Sequence, residues 1–215
     1  SGGQLNPAVS LAQAILGKIT VGEMFLFWIA QVIGAVIGAV IVWLAYKQHF
    51  DEEPDAAAKL GVFSTGPAIR SYGWNLVTEI IATFVLVFVI LSFGLNGGGG
   101  DANVVGPLGA LAVAFTVVAV GASLGGPTGY AINPARDLAP RIAHALLPIK
   151  GKGDSDWGYA WVPVEQGTVD LYLELAANPT IPPESHWRST HLGASALPEG
   201  AELYTLRRLD IGLVD

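Results

Sequence analysis

The chain of 215 residues is 52% hydrophobic but only 13% charged, about half the charge usual in a soluble domain. A net charge of −7 argues against nucleic-acid binding. The absence of cysteine excludes disulfide and thiolate–metal frameworks, and the four histidines are scattered without ligand spacing.

Taken in chain order, the first element is a short one. Asn6-Pro7-Ala8 follows the glycine-containing stretch Ser1-Gly2-Gly3-Gln4-Leu5. Asn suits an N-cap, and Pro suits the first helical position, where its missing N–H costs nothing. A half-helix over 6–16 is predicted. Met24 to Tyr46 is uncharged and apolar apart from Gln31, long enough to cross about 30 Å of hydrocarbon. Gly34 and Gly38 make a small-xxx-small pair suited to close helix packing. A polar connection from Lys47 to about Tyr72 is expected to be a solvated loop, including the acidic run Asp51 to Asp55.

Trp74 to Gly94 reads as a second span, interrupted by Glu79 alone. A carboxylate at that depth needs a partner or a role, and no second acid, histidine or lysine stands within a span to complete a proton relay. Gly97 to Gly100 is a flexible turn. Pro107 to Gly126 reads as a third span, with Gly106, Gly109 and Gly121 as possible close-contact points. Asn133-Pro134-Ala135 then repeats the opening motif after Thr128-Gly129-Tyr130-Ala131-Ile132, starting a second half-helix over 133–147 that Pro148 ends. Neither half-helix could span a bilayer alone, so the two are expected to meet inside the protein. Trp157 to Val164 has the aromatic character of a membrane interface. Residues 165–215 hold 8 acids and 3 bases, against 10 and 8 before them, and match no pattern. They are expected to be a polar tail with no assigned function.

The paired Asn-Pro-Ala boxes at this spacing, between apolar spans, closely resemble the major intrinsic protein family, the aquaporins and aquaglyceroporins. The resemblance covers about residues 1–164. It implies an all-α membrane protein, an aquaporin-like inverted-repeat helical bundle with two re-entrant half-helices. Against the family pattern the chain is expected to be incomplete, without the first two spans and the last. Arg136-Asp137-Leu138-Ala139-Pro140-Arg141 is similar to the glycerol-facilitator branch, for which Asp137, Arg141 and Pro163 are markers. Apart from marking the branch, Asp137 and Arg141 at i and i+4 read as a helix-stabilising ion pair.

The resemblance also implies roles. Asn6 and Asn133 would donate to a passing oxygen at the meeting point of the half-helices, whose dipoles oppose protons and cations. The carbonyls of Gly2, Gly3, Gln4 and Leu5, and of Gly129, Tyr130 and Ala131, would form an acceptor ladder. Arg136, Tyr130 and Gly121 match the selectivity filter. Glu79 would hold the backbone of the second loop, and Gln31 would do similar work for the first. The function implied is passive conduction of glycerol, small polyols and water, without enzymatic chemistry, cofactor or metal. The implied setting is an integral protein of the plasma membrane, in contact with lipid and assembled as a homotetramer. Two other readings are a non-conducting fragment with at most a structural or interaction role, and an ion-coupled transporter using Glu79. Lys47, Lys59 and Arg70 would place the first connection in the cytoplasm, whereas the resemblance places it outside.

Overall fold

The structure, a computed structural model, describes residues 3–95 and 109–165. The Gly97–Gly100 turn, Gly2, Gly106 and the tail beyond residue 165 lie outside the described residues. The described residues include the helices α1 (Pro7–Ile15), α2 (Val21–Ala45), α3 (Lys47–Glu52), α4 (Ala56–Phe63), α5 (Tyr72–Leu95), α6 (Gly109–Thr128) and α7 (Pro134–Leu146), and residues 162–165 are also helical. Three of these, α2, α5 and α6, are long and apolar enough to cross a membrane.

Helix α2 starts three residues before the expected Met24, because Thr20 and Glu23 form a reciprocal capping box that satisfies orphan N–H groups at its start. Its outer face carries Phe25, Ile29, Ile33, Ile37 and Ile41 at intervals of four, each more than half exposed. A stripe of that size facing outward suits hydrocarbon rather than water.

The stretch from Lys47 to Tyr72 corrects the expectation of a plain loop. It folds into α3 and α4, and the acidic residues are used locally: Asp51 pairs with Lys47 one turn away, and Asp55 caps α4 through the Ala57 N–H. Phe50 and Phe63 on these helices join Ala39, Ala143 and Ile149 in a buried cluster. The connection is therefore docked on the bundle.

The short helices pack through small side chains. On α7, Ala135, Ala139 and Ala143 repeat every four residues and are all buried, so the backbone comes close to α2. On α1, Ala8 and Ala12 pack with Val87 of α5. The Trp28 indole of α2 donates to the Pro7 carbonyl at 3.1 Å and fixes the start of α1. Among the described residues, a Cβ added at Gly34 or Gly38 would meet nothing within 4 Å.

Candidate functional site

The starts of α1 and α7 come together through a reciprocal exchange. At each, the Asn side-chain oxygen caps its own helix: Asn6 accepts from the Ala8 N–H at 2.9 Å, and Asn133 accepts from Ala135 at 3.0 Å and Arg136 at 3.2 Å. Each amide nitrogen then crosses to the other loop. Asn6 Nδ2 donates to the Ile132 carbonyl at 2.7 Å, and Asn133 Nδ2 to the Leu5 carbonyl at 2.9 Å. A primary amide has two N–H donors, so each Asn keeps one beyond this cross-link. With two helix N-termini together, each equivalent to about half a positive charge, the local field favours electron-rich oxygen and opposes cations.

Ile132 is the residue missed by the sequence reading. It occupies the position before the second Asn that Leu5 occupies before the first, so the duplication itself carried the signal. Its backbone has φ of 43°, and Tyr130 and Gly129 are also left-handed at 42° and 80°. Two non-glycine residues in this region, with only Ala131 between them, are uncommon and are held only where surroundings enforce them.

Glu79 is the enforcing group. Its fully buried carboxylate accepts from the Ala131 and Ile132 N–H groups, both at 3.0 Å. Because peptide groups are planar and trans, the carbonyls of Tyr130 and Ala131 point away from Glu79. Gly129 sits against Thr65, whose Cβ would lie 3.3 Å from an added Cβ.

Among the described residues, Gln31 Nε2 donates to Ser10 Oγ of α1 at 3.0 Å, and the Ser10 hydroxyl has Gln4 Oε1 at 2.9 Å and the Asn6 carbonyl at 3.1 Å as acceptors. Through Ser10 the amide is linked to the first loop at Gln4 and Asn6.

Asp137 and Arg141 exceed the helix-stabilising pair expected of them. Both side chains are fully buried, and the pair ties three segments together. Asp137 accepts from the N–H and hydroxyl of Thr65 at 2.7 and 2.6 Å. Arg141 donates to Asp137 at 2.9 Å and to the carbonyls of Thr65, Ser155 and Asp156 at 2.8–3.0 Å. A buried pair is tolerable only with this degree of hydrogen bonding. Pro163 is also fully buried.

A cleft of about 720 Å³ opens beside the Asn cross-link. Gln4, Leu5, Gln31, Asn133 and Arg136 give it polar groups, and Ala35, Ala39, Val42 and Phe63 give it an apolar wall. Arg136 is exposed there, with Nη1 donating to the Phe63 carbonyl at 3.3 Å. Gly3 precedes this site in the chain. The Tyr130 ring, in the loop after α6, packs against Gly121 of that helix. Among the described residues, no cluster of acidic or histidine side chains could hold a metal ion.

Residues 1–166 match the family model described as major intrinsic protein. The chain is 52% identical over 160 residues to glycerol uptake facilitator protein 3 of Lactiplantibacillus plantarum, covering 74% of this chain and 64% of the relative. It is 55% identical over 164 residues to the glycerol uptake facilitator protein of Bacillus subtilis, covering 76% of this chain and 58% of that one. The chain thus spans about six-tenths of the length of these relatives. Among solved structures, the aquaglyceroporin from Plasmodium falciparum superposes with a TM-score of 0.65 at 26% identity, covering 80% of this chain and 69% of that one. The chain is a member of the major intrinsic protein family.

Proposed function

We propose that the chain carries the conduction machinery of a passive membrane channel for glycerol, similar small polyols and water. The observation that carries this reading is the reciprocal Asn6–Ile132 and Asn133–Leu5 exchange at the joined starts of two half-helices, beside a cleft with one polar edge and one apolar wall. A polyol has a hydroxyl edge and a hydrocarbon edge, and such a wall pair suits both. In this reading α1 and α7 are re-entrant half-helices of an inverted-repeat bundle formed by residues 1–164. The spare Asn amide protons and Arg136 donate to substrate hydroxyls. The carbonyls of Gly3, Gln4, Leu5, Gly129, Tyr130 and Ala131 accept from them in sequence. Tyr130 and Gly121 shape the narrowest part. Passage is downhill and involves no bond chemistry, so the protein is a channel and not an enzyme. It resides in the plasma membrane, and the family likeness suggests a homotetramer, with exposed apolar helix faces turned to lipid and to neighbouring subunits.

A second reading, a non-conducting fragment, is favoured by the exposure of Leu5, which is 80% accessible although its carbonyl belongs to the Asn cross-link. Stopped-flow reswelling of proteoliposomes under a glycerol gradient separates the two. Glycerol-driven reswelling well above empty liposomes, lost in Asn133→Asp, is the expected result. That substitution keeps the cap oxygen but replaces the donor to Leu5 with a carboxylate oxygen. Reswelling no faster than empty liposomes, with the chain correctly inserted, would establish the second reading.

A further inference from the structure

The Tyr130 ring lies in a notch on α6 made by two glycines one turn apart. A Cβ built on Gly121 would stand 2.9 Å from both Cε2 and Cζ of the ring, and one built on Gly125 would stand 2.7 Å from Cδ1 and 3.3 Å from Cε1. Carbon atoms in contact prefer about 3.5–4.0 Å. The ring therefore occupies the volume that two methyl groups would fill, its Cγ end over Gly125 and its Cζ end over Gly121. It lies along the helix rather than standing out from it. Among the described residues Tyr130 remains 37% exposed, so the side of the ring away from α6 is not fully covered.

The ring cannot readily retreat by moving its backbone. Tyr130 is held at φ of 42° between Gly129, packed on Thr65, and Ala131, whose N–H is bound to Glu79. Any atom added beneath the ring must therefore push it outward, by about 1 Å to restore normal contact.

We infer that Gly125, with Gly121, is a positioning residue that seats the Tyr130 ring against α6 and so sets the width left beside it for a polyol. This rests on the channel reading above, in which the side of Tyr130 away from α6 is a wall of the passage. A displacement of about 1 Å matters little to a single file of water but much to a three-carbon chain. Size selection is then written in the helix behind the aromatic residue as well as in the aromatic residue itself.

Two measurements on the full chain test the inference. The first is a melting cycle in detergent, followed by tryptophan fluorescence, on the unmodified chain, Gly125→Ala, Tyr130→Ala and the double variant. Gly125→Ala is expected to melt several degrees lower, and the loss is expected to vanish when Tyr130→Ala removes the ring. An equal loss in both backgrounds overturns the seat, as does failure of both Gly125→Ala and the double variant to fold. If Gly125→Ala alone fails to fold, recovery in the double variant supports the seat. The second is reswelling of proteoliposomes with glycerol and with an impermeant osmolyte. Gly125→Ala should lower glycerol permeability about tenfold while changing water permeability far less, and Tyr130→Ala in the same chain should restore glycerol flux. Equal loss of both permeants overturns the selectivity role. No conduction by the unmodified chain overturns the channel reading and the selectivity role with it, while the melting cycle still decides whether the seat exists.

Discussion

At the scale of single residues, the site is built from side chains whose two ends do different work. Asn6 and Asn133 each use the oxygen to stop one helix and the nitrogen to bind the other loop. Only an amide of this length offers both an acceptor and a donor there, and Asp offers two acceptors. Glu79 shows the converse requirement, since it faces two N–H donors and must present two acceptors. Glu79→Gln would turn its NH₂ toward one of those donors and leave a buried amide unsatisfied. It should destabilise the protein by about 1–3 kcal/mol, read as a lower melting temperature in detergent. Glu79→Asp, one methylene short, should lose the contacts as well, whereas a purely electrostatic role would tolerate it.

Among the elements, α7 is the one on which the structure turns. Its alanine face packs on α2, its first residue follows the Asn133 cap, and the Asp137–Arg141 pair links its first turn to the next. The pair holds the segment around Thr65 and the segment around Ser155 to the helix, so both connections are fixed beside the cleft. Arg141→Ala would leave Asp137 buried without its countercharge and three carbonyls without their donor. The expected loss is about 3–5 kcal/mol in unfolding experiments. Amide hydrogen exchange should rise in both segments 64–71 and 151–156 together. A rise confined to one would show that the pair does not couple them. The sequence disclosed the i, i+4 spacing of Asp137 and Arg141 but not their burial, because burial depends on chain segments about 70 residues away in α4 and its exit.

For the whole molecule, the exposed stripe of α2 and similar residues such as Phe88, Leu111, Phe115 and Val118 on α5 and α6 leave an apolar exterior. A bilayer supplies the missing burial for the helices that reach across it. Ile33→Asp, near the middle of the α2 stripe, should cost about 2.5–3.5 kcal/mol of insertion and shift the span toward the non-inserted form in a translocon insertion assay. Unchanged insertion would show that this face is covered by protein or water instead.

The sequence by itself determined the periodicity and the breaks. Three apolar runs of sufficient length, one of them interrupted by Glu79, two Asn-Pro starts and the proline after the second half-helix were all readable, because span length and helix capping are local properties of adjacent residues. The docked helices α3 and α4 were not, since their short polar sequence has no strong period and is stabilised by contact with α7 and α2. The relay from Gln31 through Ser10 to Gln4, the crossing of each Asn to the opposite loop, and the seat of Tyr130 on Gly121 and Gly125 also arose only in the folded chain. These contacts join residues as far as 128 positions apart, and their partners are chosen by where backbone carbonyls and glycine surfaces lie in space. Sequence names the side chains able to make such bonds, but only tertiary structure decides which atom each one meets.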